Sequence, residues 1–259
     1  MSTLTLAALA TLVFCAPGYP GGAGDAQPFV DQFAKAAAAS AGWKSDSLAA
    51  IYDPSEPGSL TKLGDKDSIL AFMPYAFYVE HAAALHLSPL VQADVSGVGT
   101  EEHWTLVGKA GGPVTGASSM TGYTILSVAG YAPEFVKQSA LAGWAPLPAG
   151  VKIEATGQIL SALRRVASGE PVLALLDQTQ STALSTLPFV AQLKTLTQSA
   201  ALPVALIAVV DSRLPAARAK AFQAGLVKLS STSGGAEMLA SLKLKGFVLP
   251  RLPGNAGNP

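Results

Sequence analysis

Short apolar runs alternate along the chain with longer stretches of helical period, and that alternation predicts an α/β protein. Residues 10–16 form an almost unbroken apolar run, the pattern of a strand buried on both faces, and a Gly/Pro-rich loop through Pro17, Gly18, Tyr19 and Gly22 ends it. A helix is predicted over 26–41, with Asp25 as its N-cap and Gly42 as its stop. Strands follow at 48–52 and 68–73, separated by a turn-rich stretch from 53 to 64, and Pro74 opens a helix reaching about residue 87. Further strands are expected at 91–93 and 104–109. The break at Gly111-Gly112-Pro113 suggests a crossing between lobes nearby. The stretch 116–121 leads into a helix expected over 122–129, with another over 132–143. Beyond these lie a strand at 151–154, a helix at 158–167, a strand at 172–176 ending at Asp177, a helical turn at 181–184 and a strand at 193–198. The run 202–210 is the most apolar of the C-terminal half and reads as the return crossing. Helices over 215–229 and 235–242 follow, and 250–259, rich in Pro, Gly and Asn, reads as a mobile tail.

A chain of 259 residues with 49% hydrophobic and 13% charged positions has material for one large domain or two lobes with buried cores. Seventeen basic residues balance seventeen acidic ones, and no basic run of the length that tracks a phosphate backbone occurs. Aromatic residues are scattered singly rather than interleaved with Lys and Arg, so single-strand stacking is excluded along with duplex binding. The single cysteine, Cys15, rules out an intrachain disulfide and a Cys-rich metal site. Inside its apolar run it reads as a small buried hydrophobe; the alternative is lipidation, against which Phe14 stands where processing wants a small residue. Residues 2–15 are apolar enough for the core of a leader peptide, although no Lys or Arg precedes them and no A-x-A site follows. The same run is too short to span a bilayer and reads equally well as a first strand, which we favour for 10–16.

Candidate chemistry is sparse. The segment Gly116-Ala117-Ser118-Ser119-Met120-Thr121-Gly122-Tyr123 falls at an expected helix start, where hydroxyls cap free N–H groups and the dipole favours an anion. A helix cap without a ligand accounts for it equally well. Three histidines are present; His81 and His86 stand five apart and do not form a metal pair, and His103 reads as loop. No nucleophile elbow, Walker loop or dinucleotide fingerprint occurs, and Glu154 and Asp177 are not placed as a catalytic pair by any spacing. The sequence therefore carries no enzyme signature and implies no cofactor and no metal.

The run Ser119-Met120-Thr121-Gly122 resembles the S-T-S-G helix start of phosphate/phosphite/phosphonate-binding proteins of ABC importers, with Met120 in place of a Thr. Other segments are similar in order: Ile69 to Phe77, where Met73 replaces a Gly and Phe77 a Tyr; Val172 to Asp177 followed by Gln178-Thr179-Gln180-Ser181; and Leu202 through Arg213 to Gly246-Phe247. The resemblance spans about residues 12–250. It implies a type II periplasmic-binding-protein fold of two α/β lobes with a ligand cleft between them. Lobe 1 would comprise 1–103 and 208–259, and lobe 2 would comprise 104–207. It further implies a small oxyanion held by Ser118, Ser119, Thr121 and Gly122, with Asp177 facing the cleft toward a ligand amine or a protonated phosphonate oxygen. Gln158 stands where a relative uses His. Tyr19 and Tyr75, at expected strand ends, are further lining candidates, with purely structural roles equally open. The implied function is a monomeric, periplasmic substrate-binding protein that closes on phosphonate, phosphite or phosphate and delivers it to a permease. The alternative is a sensor or accessory protein of the same fold that has lost the anion site, favoured by Met120 and Gln158.

Overall fold

The computed structural model describes residues 10–19 and 21–253. The first part of lobe 1 runs through β1 (Ala10–Cys15), α1 (Ala23–Ser40), β2 (Leu48–Asp53), α2 (Glu56–Gly64), β3 (Ser68–Pro74), α3 (Tyr75–His81) and β4 (Ser88–Val95). The chain crosses in the short strand β5 (Glu101–Glu102) and builds lobe 2. That lobe contains β6 (Thr105–Lys109), β7 (Thr124–Ser127), α4 (Pro133–Phe135), β8 (Lys152–Ala155), α5 (Ile159–Ser168), β9 (Val172–Leu176), α6 (Gln178–Ala183) and β10 (Leu193–Gln198). It returns through β11 (Leu202–Pro203) and completes lobe 1 with β12 (Ala205–Val209), α7 (Ala216–Lys228), α8 (Gly235–Ser241) and β13 (Leu244–Val248).

Lobe 1 holds a six-stranded sheet in the order β13-β4-β12-β3-β1-β2, and lobe 2 a five-stranded sheet in the order β10-β6-β9-β7-β8. In each, a core of parallel strands is flanked by antiparallel ones: β2, β1 and β3 run together, as do β8, β7 and β9. The two crossing strands, β5 and β11, pair only with each other and form the hinge. Apolar side chains from alternate positions of each sheet feed cores on both faces, which is why the parallel strands read as unbroken apolar runs. On one face of lobe 1, Phe14 meets Phe33 and Phe72 edge-on at 5.5 and 5.1 Å, and Phe247 closes the group 5.8 Å from Phe33. The lobe 2 core is not confined to its own lobe. Tyr75, Ala76 and Leu206 of lobe 1 pack into the cluster that contains Trp104, Leu106 and Phe135.

Several expectations need correction. The helix expected over 122–129 is absent: Thr124–Ser127 is strand β7, paired parallel on both sides to β8 and β9. Its Thr-Ile-Leu run favours an extended backbone, and Gly122, at φ +83°, turns the chain into it. The stretch read as turns over 53–64 contains helix α2, because Ser55 accepts a hydrogen bond from the Gly58 N–H and Pro57 sits in the first turn, where it fits. Helix α1 starts earlier than predicted, on Gly22 with no side-chain cap, and Asp25 lies in its first turn. Helix α3 ends at His81, well short of residue 87. The lobe crossing lies at β5 rather than near Gly111, and the return boundary between 207 and 208 falls inside β12, whose whole length belongs to the lobe 1 sheet. The leader reading of 2–15 falls partly on residues 1–9, and the tail reading partly on 254–259; with Pro20, these lie outside the described residues. Among the described residues, no helix is long and apolar enough to cross a membrane.

Candidate functional site

The carboxyl ends of the parallel strands in both sheets face each other across the hinge, the crevice in which open α/β sheets present loops to a guest. From lobe 1 comes the loop after β1, bearing Gly18 and Tyr19. From lobe 2 comes the turn after β7, Ser127-Val128-Ala129-Gly130-Tyr131, and the end of β9 at Asp177. The hinge supplies Glu102. The lobes are closed on each other: the Gly18 backbone lies so close to the Val128 carbonyl that a Cβ at position 18 would clash with it. Gly18, at φ +83°, is the residue type that this approach requires. A second cross-lobe contact is polar, the Glu80 carboxylate accepting the Glu134 N–H at the start of α4 over 2.8 Å.

Two carboxyls are buried at the junction. Glu102 and Asp177 are each 6% exposed, and neither makes an ion pair with a basic residue among the described ones. Both meet the start of α6. Asp177 is its N-cap, its Oδ1 accepting the Gln180 N–H at 2.8 Å, while Glu102 Oε2 accepts the Gln178 N–H over a long 3.4 Å. Burial raises the Glu102 carboxyl to about 8, the Asp177 charge pushing the same way and the Gln178 amide and Trp104 indole only partly offsetting it. Burial likewise raises Asp177. Tyr19 lies near enough to both to feel their charge. Its residue surface is 40% exposed, yet its hydroxyl is the sheltered end, its ionisation pushed up by burial first and then by Glu102 and Asp177. Tyr131 approaches Tyr19 from lobe 2, its phenol raised by burial and then by Tyr19. Beside Tyr19 a cavity of about 310 Å³ opens on lobe 1, lined mainly by apolar side chains that include Phe14, Tyr52, Phe72 and Met73.

The residues expected from sequence are dispersed. Asp177 and Tyr19 meet at the junction. Ser118, Ser119, Thr121 and Gly122 precede β7 and so lie at the amino end of that strand, whereas Val128, which the β1 loop meets, follows its carboxyl end. There Ser119 Oγ closes a local loop, donating to the Gly116 carbonyl at 2.7 Å and accepting from the Thr115 and Gly116 N–H groups. Ser118, Thr121 and Gly122 are exposed. Tyr75 is buried in the shared core, stacked on Tyr78 and edge-on to Phe135, with its N–H donated to the Val204 carbonyl. Gln158 is exposed at the start of α5. The Ser-x-x-Gly run that does face the cleft is Ser127 to Gly130. It has Val128 and Ala129 at its middle positions, and Ser127 Oγ accepts the Ala129 N–H at 3.2 Å. Glu102 and Tyr131 escaped sequence reasoning; the one usable signal was this second Ser-x-x-Gly directly after a β-branched run. Among the described residues no cluster of His, Cys, Asp or Glu is built to hold a metal. Cys15 is buried, and burial pushes its thiol up to about 12 despite the nearby Ser59 hydroxyl, which disfavours the thiolate.

No sequence-family model matches the chain, and no curated protein sequence matches it. Solved structures do. XAC2383 from Xanthomonas citri, bound to chloride, is 14% identical and superposes with a TM-score of 0.69 over 94% of this chain and 92% of that one. This is the two-lobed type II periplasmic-binding-protein fold. The binding-protein component of an ABC phosphonate transporter from Pseudomonas aeruginosa is 13% identical, with a TM-score of 0.61 over 93% and 82% of the two chains. PhnD1 from Prochlorococcus marinus, in complex with methylphosphonate, is 12% identical, with a TM-score of 0.58 over 93% of each.

Proposed function

We propose that the chain is the extracytoplasmic solute-binding component of an ABC importer, and that its solute presents an amine to Glu102 and Asp177 in the interlobe cleft. The observation that carries this reading is the buried acid pair without a counter-charge. Two carboxyls held out of water at a junction of two lobes favour a cation between them, and each ionised form that a cation stabilises offsets part of the burial cost. Tyr19 stands near both carboxyls, and the apolar room that it helps to line suits a compact non-polar body. An oxyanion alone fits less well. The hydroxyls of Ser118, Ser119 and Thr121 lie at the amino end of β7, and Val128 and Ala129 bring none to the cleft. A phosphonate that also carries an amine remains within the proposed class. The importing permease is the proposed partner, as for the phosphonate-transporter neighbour.

One observation favours the second reading, an accessory or sensor protein of the same fold. The lobes already meet at Gly18 and Val128, next to Tyr19. Calorimetric titration separates the readings. Ethanolamine and an aminoalkylphosphonate should give heat that Glu102→Gln abolishes, whereas phosphate, phosphite and methylphosphonate should give none. Heat with the amine-free oxyanions would overturn the amine assignment, and silence with every probe would leave the accessory reading.

A further inference from the structure

We propose that lobe 1 carries a groove for a compact apolar anion, an aromatic carboxylate in chemical class, whose charged end is met by Lys243. The proposal rests on the groove alone and is independent of what occupies the acid pair.

The cavity of about 310 Å³ beside Tyr19 is one half of this groove. A second cavity, of about 390 Å³, continues from it toward the start of α1, where Asp25 and Phe29 line it. The two share Phe14, Tyr52, Phe72, Leu242 and Lys243, so they meet at a common waist. Phe14, Tyr52 and Phe72 stand near the carboxyl ends of β1, β2 and β3, where open α/β sheets hold their guests. Each half has the volume of a small-molecule site. Rings at both ends remain partly in water: Tyr19 is 40% and Phe29 44% exposed. A flat apolar body lying along the groove would cover them and pack on the rings at the waist.

Charge selects the sign of the guest. Lys243 is the one charged residue that lines the first cavity, and it lines the second as well. It makes no ion pair with Asp25 or with any other described residue. Its backbone is held at φ +57°, a region that residues with a Cβ rarely adopt. The Lys243 N–H donates to the Ala240 carbonyl at 2.9 Å, and its carbonyl accepts the Ser96 N–H at 2.8 Å. A strained residue fixed on both sides, with its ammonium uncommitted at a cavity wall, fits a ligand-facing role. The Tyr52 hydroxyl, at the same waist, has no hydrogen-bond partner among the described residues and offers a second donor. Apolar walls strengthen the attraction between Lys243 and an anion relative to open water. A cationic guest would find only Asp25, at the far end of the second cavity.

Calorimetric titration of the full chain, with charge and body varied separately, tests the proposal. Phenylpropionate should bind, acetate should give no heat, and uncharged phenylpropanol should bind about two- to fivefold more weakly than the acid. Lys243→Gln keeps a long side chain, removes the charge, and should bring phenylpropionate down to the level of the alcohol. Phe29→Ala alters an exposed wall and should weaken the acid and the alcohol alike by about fivefold. Silence with phenylpropionate overturns the proposal, as does equal affinity for acid and alcohol. So does a Lys243→Gln protein, folded by circular dichroism, that binds the acid as the wild type does. Phenethylamine separates the groove from the amine reading. Heat with the amine that Glu102→Gln abolishes, beside silence with the acid, removes this proposal and leaves the amine reading. Heat with the acid that Lys243→Gln reduces, beside silence with every amine, supports this proposal and removes the amine reading.

Discussion

Replacing Gly18 with Ala should open the molecule while leaving both lobes folded. Two costs attach to the substitution, and the structure separates them. The first is local. At φ +83° an L side chain is strained by about 1 kcal/mol, in the open and closed states alike. The second exists only when the lobes touch. A Cβ at position 18 would fall inside the 3.0 Å that such atoms keep from a neighbour, against the Val128 carbonyl oxygen, with the carbonyl carbon at 3.2 Å and Val128 Cβ at 3.4 Å. The obstacle is backbone in the turn directly after β7, so it cannot swing aside as a side chain would. Overpacking of this kind costs about 1–3 kcal/mol. Charged to the closed state alone, it lowers the closed-to-open ratio by about 5- to 150-fold. Gly42→Ala is the control, because Gly42 has φ +74° and open space where its Cβ would go. Both variants should lose about 1 kcal/mol in urea unfolding. Only Gly18→Ala should show a larger radius of gyration in small-angle X-ray scattering. A Gly18→Ala protein as compact as the Gly42→Ala protein would refute the reading that this contact marks the closed interface.

Other expectations are simpler. Phe33→Ala removes the ring at the centre of the Phe14–Phe72–Phe247 group and should cost about 3–5 kcal/mol in chemical denaturation. Arg213 donates to the carbonyls of Leu63, Asp65 and Ser68 at 2.9, 2.7 and 3.0 Å, so Arg213→Ala should destabilise lobe 1 by about 2–3 kcal/mol, read as a lower urea midpoint. Asp53 is partly desolvated, but Lys62 and both Ser55 donors more than offset this and hold its carboxyl below its ordinary value. Its contribution is thus present above the ordinary carboxylate range and lost as pH falls through the lowered value. Asp53→Asn should be about 1–2 kcal/mol less stable at neutral pH, with the gap closing in acid. Thr121→Ala should leave solute heats unchanged, since Thr121 is exposed before β7, at the end of the strand away from the Gly18–Val128 approach.

Where apolar runs sit in the middle of a parallel sheet, the elements were legible: β1, β3 and β9 are buried on both faces and tolerate no polar break. The same simplicity misled at 124–129. Thr-Ile-Leu-Ser-Val-Ala is too short for its period to separate strand from helix, and the glycines at 122 and 130 punctuate either. That one misreading set the hydroxyl run at the start of a helix, whereas it precedes β7, at the end of the strand away from the Gly18–Val128 approach. The hinge strands, two residues each, carry no periodicity at all, so the lobe boundaries could not be read from pattern. The rule that strand ends border the crevice picked Tyr19, near the junction, but also Tyr75, which is buried in the core; Asp177 came from the resemblance. Glu102 came from neither, because nothing about a Glu-Glu pair in a loop distinguishes the exposed member from the buried one until β5 pairs with β11.

The division of labour at the junction explains why so few residues should control specificity. The lobes also share an apolar cluster that contains Leu206 and Trp104 and in which Tyr75 sits edge-on to Phe135 at 6.1 Å. That contribution does not depend on pH and does not distinguish one guest from another. The acid pair contributes the opposite kind of energy: unfavourable when both members are ionised, and relieved by a single positive charge, whether a proton or an amine. A proton on Glu102 and a protonated amine beside it are thus competing solutions to one electrostatic problem. A guest amine that replaces the shared proton should release that proton on binding, so the heat of titration in two buffers of different ionisation enthalpy should differ by the fraction of a proton transferred. Identical heats in both buffers at about pH 7 would mean that the amine and the proton do not share the site.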